Sequence, residues 1–76
     1  MQIYSRAKKE EILKYINGYY YRNYAYPSPR QIGRDTGLCE EDAKRYLISM
    51  SDEHMINYSE EKGIISTPDI LRWLLM

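Results

Sequence analysis

The 76-residue chain has one cysteine and one histidine, and these scarcities remove two classes of structure. A lone Cys39 excludes an internal disulfide, and with His54 as the single histidine the common zinc donor sets cannot be assembled. No structural metal and no cofactor is expected. No apolar run approaches the ~20 residues needed to span a bilayer. Arg6, Lys8 and Lys9 also charge the start of the chain, so a soluble, cytoplasmic protein without a membrane partner is expected. Phosphate-cradling glycine loops are missing, as is a second histidine or cysteine that could complete a nucleophile and base, so the chain does not read as an enzyme.

The length suits a single domain over residues 1–76 with one core. A chain of this size buries only ~60% of its unfolded surface, and its core supplies roughly 3–5 kcal/mol of net stability. A partner subunit would add to that.

Net charge is zero, from 11 basic and 11 acidic residues, but the signs are unevenly placed. Residues 1–34 carry seven basic and two acidic residues, +5, and residues 35–76 carry four basic and nine acidic, −5. This asymmetry fits a basic face on the first two helices, and it equally fits an ordinary solvated exterior.

The order of elements follows from local signals. Ser5 can cap a first helix whose apolar stripe is Ala7, Ile12, Tyr15, Ile16, Tyr19 and Asn23 or Tyr24. Glu10 and Lys14 stand at ion-pair spacing, the interior Gly18 invites a bend or an early end, and Tyr26 before Pro27 stops the helix. Ser28-Pro29-Arg30-Gln31 is a capping box with proline at the first helical position, and Gly37 closes a two-turn helix after Thr36. A third helix, about 40–53, carries Ala43, Tyr46, Leu47 and Met50 on one face, with Glu40, Glu41 and Asp42 in its first turn where the dipole favours acids. Met55-Ile56-Asn57-Tyr58 and Ile64-Ile65-Ser66 then read as strands of a hairpin around the loop Ser59 to Gly63. Thr67-Pro68-Asp69 opens a last short helix. The predicted fold is mainly α with a small β-hairpin: a winged helix-turn-helix, three helices plus wing, with an extra C-terminal helix.

The segment Tyr26 to Met55-Ile56 resembles winged-helix bacterial regulators of the GntR type and the DNA-binding domain of LexA repressors, with a one-residue difference in length before the second helix. The resemblance rests on Pro27-Ser28, Arg30, Ile32, Gly37-Leu38, Leu47, Met50 and the apolar pair Met55-Ile56, and covers 31 of 76 residues. It implies phosphate contact at Ser28 or Arg30, and base-edge or phosphate contact at Glu41, Lys44 and Arg45. Cys39 stands where these families usually carry a capping serine or threonine, Glu40 where a basic residue is common, and Asp42 where threonine is common. The pairs Glu40 with Lys44 and Glu41 with Arg45, each four apart, give all four charges a structural use worth ~0.2–0.5 kcal/mol per pair.

Two functions remain open on these residues. The first is a small transcriptional regulator that reads double-stranded DNA with the third helix, using Glu41, Lys44 and Arg45 in the groove and Ser28, Arg30, Arg34 and Lys62 on phosphates. The alternative is a winged-helix protein-interaction or dimerisation module, in which Ile70, Leu71, Trp73, Leu74 and Leu75 form a homodimer contact or pack on Ile3 and the first helix. Five of the nine tyrosines fall between Tyr19 and Tyr26. Stacking on single-stranded bases is one use for such a run, but packing as half-buried core residues is the expectation adopted. His54 is expected as a partner of the third helix's C-terminus rather than a pH switch, and Cys39 is expected to be inert.

Overall fold

The computed structural model describes residues 4–67. The expected C-terminal helix and the dimer contact at Ile70, Leu71, Trp73, Leu74 and Leu75 lie outside them. The described chain is mainly helical: α1 (Arg6–Asn23), α2 (Pro29–Thr36) and α3 (Glu40–Asp52), followed by an antiparallel hairpin of β1 (Asn57–Ser59) and β2 (Gly63–Ser66). This order is compatible with a winged-helix layout. No helix among the described residues is long and apolar enough to cross a membrane.

Ser5 caps α1 by accepting the amide of Lys8 at 3.1 Å. The helix runs through Gly18 without a break and ends at Tyr24, which takes the left-handed conformation at φ 55°. Its buried side differs from the expected stripe. Lys9, Ile12, Leu13, Ile16 and Asn17 turn inward, Tyr15 and Tyr19 are half-buried, and Ala7, Asn23 and Tyr24 face solvent. The expected stripe includes tyrosines, and a tyrosine can lie at the rim with its hydroxyl wet while Leu13 takes the buried place. Glu10 also pairs with Arg6 at 3.5 Å rather than with Lys14, both partners being four residues away.

The expected start and stop of α2 are both present. Ser28 accepts the amide of Gln31 at 3.2 Å, Pro29 opens the helix, and Gly37 closes it at φ 79°. The reciprocal half of the capping box is not made, because the Gln31 side chain turns forward to Asp35 at 3.4 Å. One turn later the backbone folds back so closely that a Cβ on Gly33 would lie 2.6 Å from the carbonyl oxygen of Leu38. Glycine is what allows α2 and the turn to meet here.

The core joins Ile12, Leu13 and Ile16 of α1, Ile32 of α2, and Ala43, Tyr46, Leu47 and Met50 of α3, with Ile56 and Ile64 sealing the hairpin end. At about 25 cal/mol per Å², burying one such aliphatic side chain is worth ~1.5–3 kcal/mol, so this cluster is the main favourable term. Polar ties across the helices reinforce it. The Ser5 amide donates to the Tyr46 hydroxyl at 3.1 Å, and the Lys9 ammonium, almost fully buried, meets Glu53 at 2.8 Å.

The hairpin pairs Asn57 with Ser66, Tyr58 with Ile64 and Ser59 with Gly63, and a bulge follows the first pair. Pairing of Ser59 with Gly63 shortens the expected five-residue loop to Glu60-Glu61-Lys62, and Gly63 supplies the φ of 79° that closes it. The first strand also starts two residues later than expected. Met55 is taken up in ending α3, where its amide bonds to Met50 O at 2.8 Å while the His54 amide bonds to Ser51 O at 3.0 Å.

Candidate nucleic-acid interface

The residues expected to touch DNA fall on three elements. Ser28 stands at the N-terminus of α2, where its hydroxyl oxygen accepts the amide of Gln31. Arg30 and Arg34 are exposed, four residues apart on the same side of α2, and neither has an ion pair among the described residues. On α3, Glu41, Arg45, Ile48 and Asp52 are exposed at helical spacing and form the outward row. Lys62 is exposed at the tip of the hairpin.

The charges of α3 are largely used among themselves. Lys44 lies 3.9 Å from Glu40, the expected pair. Arg45 turns instead to Asp42, three residues back at 3.4 Å, and not to Glu41 as the spacing suggested. Both spacings bring side chains together on a helix, and a planar guanidinium selects whichever carboxylate gives the better angle. Glu41 is left outward without a salt bridge among the described residues. At the start of the helix Cys39 has the extended backbone of a cap but makes no side-chain capping bond. The three acids of the first turn therefore supply the negative charge that the helix N-terminus favours.

Between α3 and the hairpin lies a groove of about 220 Å³ lined by Ile48, Ser51, Asp52, Tyr58 and Glu60. Ser51 accepts the amide of Tyr58 at 3.4 Å and so fixes the hairpin against the helix. Burial holds the Tyr58 phenol above its ordinary value, with the Glu60 carboxylate adding to the shift. The hairpin side of the interface is thus acidic, apart from Lys62.

The basic half of the chain divides differently. Arg6 is tied to Glu10, Lys8 to Glu11 and to the C-terminal carbonyl of Thr36 at 2.8 Å, and Lys9 to Glu53. Arg6 makes a surface pair within α1, whereas Lys8 and Lys9 tie α1 to other elements, Lys8 as a cation at the negative end of α2. Lys14, Arg22, Arg30 and Arg34 have no ion pair among the described residues. They are the only charged residues between positions 12 and 34, a stretch without an acid. Where it ends, the Tyr15 hydroxyl donates to Asp35, which also accepts from Gln31. Those hydrogen bonds hold the Asp35 carboxyl below its usual range, while burial and the bond to Asp35 hold the Tyr15 phenol above its own.

The tyrosines separate into two groups. Tyr4 meets Tyr46 edge-on at 5.2 Å, Tyr15 lies 6.0 Å from Tyr19, and Tyr4, Tyr15, Tyr26 and Tyr58 pack against the core, as the packing expectation requires. Tyr20, Tyr21 and Tyr24 do not, being 41%, 64% and 84% exposed. Position in the last turn and cap of α1 is the reason: beyond Asn17 that helix has no core left to cover. The signal was the absence of any aliphatic residue in α1 after Ile16.

His54 adopts φ 61°, the left-handed geometry that glycine satisfies best, so its backbone, more than its imidazole, ends α3. Comparison of the chain with protein-family models, with curated proteins and with solved structures gives no match.

Proposed function

We propose that the chain is a small winged-helix protein that binds double-stranded DNA as a transcriptional regulator. The supporting observation is the unpaired arginine pair on α2, Arg30 and Arg34, set ahead of the glycine turn and an outward α3 row that offers Arg45 and Ile48. In this reading Arg30 and Arg34 hold phosphates and orient the domain, while Arg45 and Lys44 exchange Asp42 and Glu40 for phosphate oxygens or guanine edges. Ile48 would meet a thymine methyl, and Glu41 would accept from a cytosine amine. Lys62 reaches a phosphate from the hairpin tip, against Glu60 and Glu61 beside it. The acids make binding modest, and the phosphate contacts make it dependent on salt.

The test is a titration of a labelled duplex at several salt concentrations with the wild type, Lys44→Glu and Arg30→Gln/Arg34→Gln. Each phosphate contact removed lowers the slope of log affinity against log salt by about 0.9. A loss near 1.8 in the double variant, with weaker binding by Lys44→Glu, is the expected result. Salt-independent binding, or no duplex binding at low salt, sinks the proposal.

An acidic outward face on α3 and the hairpin favours a second reading, a protein-interaction module. Under it, Glu60→Lys would weaken partner binding, whereas the DNA reading predicts that it strengthens duplex binding.

A further inference from the structure

We infer that the C-terminal end of α1 and the loop after it form a binding surface for single-stranded nucleic acid, separate from the duplex face. Such surfaces combine aromatic rings, on which unpaired bases stack, with cations that follow the backbone. Both are present here. Tyr21 and Tyr24 expose most of their rings, and neither has a ring partner among the described residues. Beside them Tyr20 and Tyr26 stack at 4.5 Å with an interplanar angle of 21°, which pins the loop to the helix and leaves Tyr20 41% exposed.

The charge is complementary to a polyanion. Arg22 lies between the two exposed rings in sequence, its guanidinium resting 3.4 Å from the Gly18 carbonyl. No acid occurs from position 12 to 34, so nothing in this stretch opposes a phosphate backbone. The backbone carries a corresponding feature: Tyr24 holds φ 55° at a helix end where glycine would be unstrained, yet presents the most exposed large ring of the described residues. A tyrosine in that position adds no packing to the core, and its ring is available to a base.

The surface also lies towards the opposite end of α1 from the residue that ties this helix to α3. Tyr21 is twelve residues beyond Lys9, the residue that ties α1 to the end of α3, which is about 18 Å along a helix axis. Occupation of one surface therefore does not require the other.

The experiment measures binding of a labelled 20-nucleotide oligo-dT to the whole chain at 50 mM salt and at a series of higher salt concentrations. The set is wild type, Tyr21→Leu/Tyr24→Leu, Tyr21→Phe/Tyr24→Phe, Arg22→Gln and Lys44→Glu. Leucine keeps an apolar side chain but not a stacking face, so the double leucine variant should lose tenfold or more in affinity, and the phenylalanine variant should stay within about twofold. Arg22→Gln should lower the salt slope by about 0.7, the increment for one single-strand phosphate. Lys44→Glu should leave oligo-dT binding unchanged, which separates failure of this surface from failure of the duplex reading. Absence of oligo-dT binding by the wild type, or equal loss in the leucine and phenylalanine variants, overturns the inference. A light-scattering mass of two chains that the leucine variant reduces to one overturns it too, since the rings would then be covered by a second copy.

Discussion

The two helices of the helix-turn-helix are built by opposite means. α2 carries every local signal: Ser28 accepts an amide at its start, Pro29 sets its first dihedral angle, and Gly37 takes the left-handed angle at its end. α3 carries neither end signal. Cys39 makes no capping bond, and His54 adopts φ 61° without the freedom of glycine. In their place α3 has three acids at its N-terminus, a wider buried face in Ala43, Tyr46, Leu47 and Met50, and an ending that commits Met55 to a bond with Met50. A helix with good ends needs little packing to hold its bounds; one with poor ends is kept by its core. The acids of α3 therefore have a structural use at its N-terminus, where a serine or threonine would otherwise accept the free amides.

The strongest way to break this comparison is at the joint between the helices. Gly33→Ala places a methyl group 2.6 Å from backbone, and we expect a loss of about 2 kcal/mol, seen as a lower urea midpoint. An unchanged midpoint would mean that the turn yields without resistance. Next, Ser28→Ala removes the bond to the Gln31 amide and should cost about 1 kcal/mol. The converse change, Cys39→Ser, should stabilise the protein by roughly 0.5–1 kcal/mol, since α3 has no side-chain cap to lose. If Cys39→Ser is neutral while Ser28→Ala is costly, the acids already satisfy that end of α3 in full.

Smaller effects follow at the C-terminal end and with pH. His54→Gly relieves a left-handed residue and should add about 0.5 kcal/mol after the entropy of the unfolded glycine is counted, measurable by denaturant titration. A loss instead would assign the imidazole a contact of its own. Asp35, on α2, has its carboxyl held down by the hydroxyl of Tyr15 and the amide of Gln31. Its contribution is complete above the unfolded value of 3.8 and disappears as pH falls through the lower folded value, so Asp35→Asn should flatten that part of the acid limb. Tyr15 has the opposite sense: its phenol is raised, so its contribution is complete below 10.0 and is lost as pH climbs through the higher folded value. Tyr15→Phe should remove the alkaline part, and an alkaline limb identical to wild type would contradict the assignment.

What could be read in advance was what neighbours in sequence decide. The sequence by itself determined the bounds of α2, the buried stripe of α3 and the glycine that closes the hairpin, because a cap, a left-handed angle and a helical period involve residues a few positions apart. Tertiary structure alone decided which side of α1 is buried, since the tyrosines made two stripes similarly apolar and only packing against α2 and α3 selected between them. It also placed Lys9 on Glu53 and Lys8 on the carbonyl of Thr36, pairs 44 and 28 residues apart, which removed those cations from the expected basic face. The choice of Asp42 over Glu41 by Arg45 was open for another reason: both carboxylates lie within reach on one helix, and the difference between them is a matter of side-chain geometry. On the same grounds the exposure of Tyr20, Tyr21 and Tyr24 depended on where the core stops, a fact set by the packing of all three helices and by no single stretch of the chain.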